Sequence, residues 1–332
     1  MATSSNSTSL SLYPLKFRPI YKEKIWGGHR LHKLFGHTDG AQGVGESWLL
    51  SGLGNDQTVV TNGYLADNTI TELVEVYMGE LVGDKVYEQF GDSFPLLFKL
   101  IDADDDLSVQ VHPDDKYAFD NGLDSGKTEM WYVLHSNDGQ IVYGLDKQLS
   151  ASQLRQSLTD HSFMNHLHHE RVSAGDCVLI NSGTIHSLGK GVMVAEIQQS
   201  ADVTFRLYDY GRRDSSGNER ELHVNEALDV AVLEPADSVL IDYKKKDNGA
   251  ANICQTPYFT VNTLCFNQPI GRDYATLDSF VAYLCVDGAA VIAAADTEID
   301  IRCGELVLMP ASINDVVFNP LGSCQLLEVY IS

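Results

Sequence analysis

The sequence predicts a mainly β protein built as two related halves, with a few short helices between strands. Three observations lead there. Short apolar or alternating runs, broken by Gly, Asn and Asp, recur along most of the 332 residues, a spacing that builds sandwiches and barrels. Residues 175–186 (Gly-Asp-Cys-Val-Leu-Ile-Asn-Ser-Gly-Thr-Ile-His) align without gaps on 304–315 (Gly-Glu-Leu-Val-Leu-Met-Pro-Ala-Ser-Ile-Asn-Asp). Such an echo implies two copies of one β unit. Few segments keep a helical period.

In chain order, residues 1–12 have neither the basic start nor the apolar core of a signal peptide and read as a disordered lead-in. Runs at 95–101, 107–112, 129–134, 176–180, 192–198 and 203–209 predict the strands of a first domain, 13–240. Runs at 280–286, 290–294, 305–309 and 324–331 predict those of a second, 241–332. The polar stretch Tyr243–Asn248, with three consecutive lysines, suits a solvated linker or loop near the boundary. Helix is expected at 69–90, at 151–169 (Leu154, Leu158, Phe163 and Leu167) and at 222–232.

A hydrophobic content of 44% supports sizeable cores, while 46 acidic against 23 basic residues leave a net charge of −23. The chain as a whole therefore repels nucleic acid and anionic membrane, and any phosphate ligand needs a local group of Lys or Arg. No apolar run reaches the length of a membrane span. The cysteines (177, 254, 265, 285, 303 and 324) form no Cys-x-x-Cys pair and sit in apolar runs, which fits a reduced, cytoplasmic protein. A small-molecule partner, with the chain as monomer or homodimer, is the expectation.

The chemistry starts at Ser108-Val-Gln-Val-His112. A strand has a side-chain period of two, so Gln110 and His112 share a face, and Pro113 ends the pairing. Glu129 opens another alternating strand with Trp131 and Val133 on its side, and His186 closes the small-residue turn after 176–180. Gln110, His112, Glu129 and His186 together offer nitrogen and oxygen donors without thiolate. That set suits zinc in a reactive site and also admits iron or manganese. His161, His166, His168 and His169 cluster on an expected exposed helix, with no obvious carboxylate partner, and read as solvated. The repeat at 175–186 resembles the cupin jelly-roll motif, in which the final His is a metal ligand. The second copy carries Asp315 at that place and no His follows His223. The C-terminal domain is therefore expected to be a degenerate cupin without a metal site.

Further motifs are Lys24-Ile-Trp-Gly-Gly28, Gly45-Glu-Ser-Trp48, Phe94-Pro-Leu-Leu-Phe-Lys99, Gln110-Val-His-Pro113, Gly126-Lys-Thr-Glu129, Gly183-Thr-Ile-His186 and Glu196-Ile-Gln198. From about Tyr13 to the C-terminus the chain resembles the class I mannose-6-phosphate isomerases in their short bacterial form. The resemblance implies one zinc ion per chain on Gln110, His112, Glu129 and His186, and interconversion of mannose 6-phosphate and fructose 6-phosphate. It also implies active-site roles for Arg206, Glu196 and Lys127. Two departures stand out: Asn181 replaces the usual cupin Pro, and the helical insertion of long family members has no room here.

Aldose–ketose interconversion moves a proton between C1 and C2 through an enediolate, so negative charge develops on oxygen. A metal and a guanidinium can both stabilise it, and Arg206 is the candidate. The carbon proton needs a base. Glu196, with a pKa expected to be raised inside the barrel, is the first choice and Lys127 its competitor. Lys127, Arg206 and Arg212 are the cationic candidates for the phosphate. Trp26 and Trp48 are candidate sugar-stacking residues at the pocket mouth, or else core. Two other readings stay open: a non-catalytic sugar-phosphate sensor with the same pocket, and an iron oxygenase, against which Gln110 in place of a His argues.

Overall fold

The computed structural model describes residues 11–35, 43–213, 216–235 and 238–332. Most of the expected lead-in lies outside these, but Leu12 is buried in the core. Strand follows strand along the chain, as expected, and three large antiparallel sheets result. One has six strands in the order Cys177–Ile180, Glu129–Ser136, Val192–Gln199, Leu96–Asp102, Val44–Leu50, Ile20–Gly28. A second has five, in the order Leu167–Arg171, Gln140–Leu145, His186–Leu188, Val109–Val111, Phe205–Tyr208. The third takes the C-terminal strands together with Leu15–Arg18, which pairs with Leu306–Met309. The N-terminal strand thus stitches the start of the chain to its end.

Period-two alternation explains the layering. In the six-stranded sheet Ile101, Trp131, Val133 and Val194 face one way and meet Ile141, Tyr143 and Leu188 of the five-stranded sheet in a common core. Their neighbours Leu100, Met130, Tyr132, Ala195 and Ile197 face the other way and pack on Ala282, Leu284, Leu327 and Val329 of the C-terminal sheet. Buried on both faces, strands Leu96–Asp102 and Val192–Gln199 read as unbroken apolar runs with few exceptions. Val109, Val111, Phe205 and Leu207, on the outer face of the five-stranded sheet, are covered by helices Ala151–Thr159 and Val224–Val230.

The internal echo is matched in the strand boundaries. Strands Cys177–Ile180 and Leu306–Met309 occupy matching positions in the two repeats, and the next strands begin at His186 and Asp315. The expected helix at 69–90 forms as Ile70–Val82 and Asp84–Phe90. It starts on a capping box between Thr69 and Glu72 and breaks at Gly83. Gly83 has φ 96, and a Cβ there would stand 2.5 Å from the Asp278 carbonyl oxygen, so only glycine fits. The Asp278 carboxylate accepts the N–H groups of Asp84 (2.7 Å) and Lys85 (3.1 Å), tying this hairpin to the C-terminal half.

The 151–169 expectation needs correction. Helix ends at Thr159, and Leu167–Arg171 is a strand paired with Gln140–Leu145. Cross-strand pairing overrides the weak helical spacing. His168 and His169 therefore lie on a strand. His168 does have carboxylate partners, with Nδ1 3.0 Å from Asp146 Oδ1 and Nε2 3.5 Å from Glu170 Oε2.

Candidate metal centre and active site

Three neighbouring strands aim the site inward. Gln110 pairs directly with His186 on one side and with Arg206 on the other, and directly opposed residues project to the same face. Glu129 enters from the facing sheet, where it pairs with Ile180 and Gln198. His112 follows strand Val109–Val111, and the N–H of Gly183 donates to its carbonyl at 2.8 Å, fixing the loop before His186.

The side chains converge. Ligand atoms of His112, Glu129 and His186 lie within 4.8 Å of one another, and all three residues are buried. His186 Nε2 is 3.4 Å from Glu129 Oε1, and His112 Nε2 is 3.6 Å from Glu129 Oε2. The Gln110 amide reaches His186 Nε2 at 3.3 Å. It is the amide nitrogen of Gln110 that faces the imidazole. The Thr184 carbonyl lies 2.9 Å from His186 Nδ1, which places the proton there and leaves the Nε2 lone pair facing the cluster.

The same atoms lack protein partners. His112 Nε2 and both Glu129 oxygens are buried without a hydrogen bond, although Lys127 Nζ stands 3.0 Å from Glu129 Oε2 as an ion-pair partner. Buried polar atoms are ordinarily satisfied, so an orphaned cluster of lone pairs is a cage suited to a cation. Electrostatics agree. Burial, reinforced by the nearby Glu196 charge, pushes Glu129 up to about 7. Burial lowers His186 to about 4 and holds His112 well below the ordinary imidazole range, with Lys127 adding to the effect on His112. Neutral imidazoles are the ligand form.

Behind this layer lies a second one, and here the expectation for Glu196 fails. Burial does oppose its charge, but Lys99 and Lys127 outweigh burial and hold the carboxyl down at about 2. Lys99 Nζ is 3.1 Å from Glu196 Oε1, and Trp131 Nε1 donates to Oε2 at 2.8 Å. Lys99 also donates to Gln198 Oε1 at 2.7 Å. The sequence reading gave Lys99 no role. The one signal for it was a lysine inside the apolar run Leu96-Leu-Phe-Lys-Leu-Ile101.

The remaining candidates divide. Lys127 is buried beside the cage. Arg206 shares the Gln110 face but leans along the strand, its Nε donating to Ser108 Oγ at 3.3 Å. Arg212 is engaged by Asp209 and by the Asp106 carbonyl. Trp26 is 4% exposed and packs with Ile101, Leu107 and Trp131. Of the two readings left open for it, this placement favours core. Trp48 does line a cleft of about 420 Å³ with Leu123, Ala201, Asp202 and Val203. Its Nε1 donates to Glu46 at 2.8 Å, and Lys99 Nζ lies 5.2 Å from its ring centroid.

Comparison with known proteins agrees with this architecture. Residues 14–121 match the family model for the phosphomannose isomerase type I catalytic domain. The mannose-6-phosphate isomerase ManA of Bacillus subtilis is 33% identical over 319 residues, covering 94% of this chain and 97% of that one. That of Streptococcus mutans is 33% identical over 312 residues, covering 92% and 95%. The crystal structure of the mannose 6-phosphate isomerase from Bacillus subtilis superposes with TM-score 0.86 at 32% identity, covering 96% of this chain and 99% of that chain.

Proposed function

The chain belongs to the type I mannose-6-phosphate isomerase family, and from that premise we propose that it interconverts mannose 6-phosphate and fructose 6-phosphate, with one zinc ion on Gln110, His112, Glu129 and His186. The observation that carries this reading is the buried convergence of His112, Glu129 and His186 ligand atoms within 4.8 Å of one another, with His112 Nε2 and the Glu129 oxygens left without a hydrogen bond. A divalent ion bound there supplies a Lewis acid for sugar oxygens that gain negative charge.

The residues around it divide the remaining work. Lys127, whose Nζ stands 3.0 Å from Glu129 Oε2 at the edge of the cage, would lie beside a sugar held by the ion. Lys127 is therefore the better proton carrier between C1 and C2 on the way through the enediolate. Glu196 has both oxygens engaged and a pKa of about 2, which makes it a poor proton acceptor. Its role is a fixed negative charge beneath the cage. Arg206, anchored on Ser108, suits an anionic group two strand steps from Gln110. Trp48, although buried, contributes to the wall of a cleft with Asp202 and Val203.

The same reading makes the two sheet regions paired cupin units, the second without a metal. Cytoplasmic residence is supported by the six free thiols, and no helix among the described residues is long and apolar enough to cross a membrane. A coupled isomerase assay on protein of known zinc content, before and after chelation, tests the proposal. Turnover that vanishes with zinc and returns on adding it back is the expected result. Zinc and sugar-phosphate binding without turnover would leave a sensor, and full turnover by metal-free protein would remove the metal from the mechanism.

A further inference from the structure

Four charged side chains gather where strand Phe205–Tyr208 ends: Arg206, Asp209, Arg212 and Arg220. In a chain of net charge −23, the three guanidiniums share Asp209 and, 3.8 Å from Arg212 Nη1, Asp105, which leaves a local surplus of positive charge. Asp209 is only 6% exposed. Arg220 grips it with two donors, Nε to Oδ2 at 2.6 Å and Nη2 to Oδ1, leaving Nη1 outside the grip. Arg212 donates to Oδ1 from Nη2 at 2.5 Å and from Nε at 3.2 Å, and its Nη1 goes to the Asp106 carbonyl. Arg206 differs. It donates to Ser108 Oγ and, at 2.8 Å, to the Glu221 carbonyl, and has no carboxylate in ion-pair contact among the described residues. Burial first, then the neighbouring Arg220, disfavours its charged form, as expected where positive charge exceeds negative.

The local backbone is built to hold this group. The Arg212 N–H donates to the Asp209 carbonyl at 3.0 Å across a turn whose central residues, Tyr210 (φ 58) and Gly211 (φ 65), are both left-handed. Tyrosine rarely adopts that conformation, and here its ring is pinned 5.0 Å from the Arg212 guanidinium and 5.1 Å from the Tyr208 ring. Strain kept in place by its surroundings is a mark of functional geometry. A bridge between Arg213 and Glu219 then brings the chain back, so that Arg220 meets Asp209 and the His223 N–H donates to the Arg206 carbonyl at 2.8 Å.

We infer that Arg220 is a specificity residue for the phosphorylated end of the substrate: with Arg206 it seats the phosphate dianion, while Asp209 and Arg212 hold it in place. This rests on the isomerase reading above. Ser108 lies two residues from Gln110, roughly 7 Å along a strand, comparable with the reach of an open hexose from its carbonyl end to its 6-phosphate. Planar guanidiniums match phosphate oxygens in geometry as well as charge.

The test compares the zinc-loaded full chain with Arg220→Ala and Arg220→Lys. Arg220→Ala is expected to raise both the KM for mannose 6-phosphate and the competitive inhibition constant of inorganic phosphate by about tenfold, the loss of one charge-assisted contact. Bound zinc stays unchanged, kcat moves far less than KM, and Arg220→Lys recovers part of the affinity. The inference is overturned if both constants stay at their wild-type values in folded Arg220→Ala, or if kcat and zinc fall in place of affinity. Should Arg220→Ala not fold, the rise in Tm caused by inorganic phosphate is compared between wild type and Arg220→Lys. A smaller rise in the variant supports the seat, and an equal rise overturns it. If wild type shows no turnover, the isomerase reading fails by itself. The seat is then judged by the phosphate-induced Tm rise in wild type, whose absence overturns it.

Discussion

Glu129 and Glu328 are both fully buried glutamates on antiparallel strands, one in each half of the molecule, and their surroundings are opposite. Glu328 is satisfied on every side. Arg272 donates to its two oxygens at 2.8 and 3.0 Å, Asn262 donates at 2.7 Å, and the Tyr274 hydroxyl completes the set. Its strand partners, Asn262 and Tyr283, face the same way. Among the described residues Glu129 has a single cation beside it, Lys127 Nζ at 3.0 Å from Oε2, and otherwise faces two imidazole nitrogens at 3.4 and 3.6 Å. A buried charge enclosed by donors is a structural element. A buried carboxylate set among imidazole nitrogens, with one ammonium beside it, is a donor group suited to a cation.

Removing a member of this donor group should have the largest effect. His112→Ala is expected to strip bound zinc and cut kcat by well over a hundredfold, since even residues that merely orient metal ligands cost about 10–100-fold. Metal analysis alongside turnover checks this, and retained zinc with full activity would end the distinction drawn here. Glu328→Ala should do the reverse. It leaves Arg272 in need of a partner and costs about 3–5 kcal/mol in chemical denaturation, while zinc per folded chain and kcat persist. Zinc loss from folded Glu328→Ala would show that the second network supports the first.

Proton linkage sharpens the contrast. Glu129 rises from 4.5 to about 7 on folding, so its ionisation costs the metal-free fold stability as pH climbs between those values. His186 falls from 6.5 to about 4, so its contribution is complete above 6.5 and is lost as pH drops toward 4. The two trends oppose each other in the metal-free protein. Zinc requires Glu129 ionised and both imidazoles neutral, so they combine once zinc is present. The Tm increase caused by zinc should therefore grow from about pH 5 to about pH 7.5, and a pH-independent increase would contradict the proposed ligands. The smallest effect belongs to Asp315, the counterpart of His186 in the repeat and exposed. Asp315→Ala should change stability by no more than about 0.5 kcal/mol and leave turnover intact, as denaturation and steady-state rates would register.

Much of this was legible because strand alternation is a local rule. It put Gln110 and His112 on one face and Glu129 with Trp131 on another, and the 175–186 echo located matching strands in both halves. It failed where a partner comes from far along the chain. Helical spacing at 151–169 lost to pairing with Gln140–Leu145. Trp26 stood open between sugar stacking and core until Trp131 and Ile101 closed over it. The raised pKa expected of Glu196 became a lowered one because Lys99, 97 positions away, lies 3.1 Å from it.

By itself, then, the sequence determined the β architecture and the convergence of His112, Glu129 and His186, because these follow from side-chain period and residue chemistry along short stretches. Only the tertiary structure decided which charges are paired: Lys99 with Glu196, Arg220 and Arg212 with Asp209, Arg272 with Glu328, and Lys127 alone with Glu129. The physical reason is that a charge's energy depends on what stands within a few ångströms of it in a low-dielectric interior, and sheet topology sets that neighbourhood.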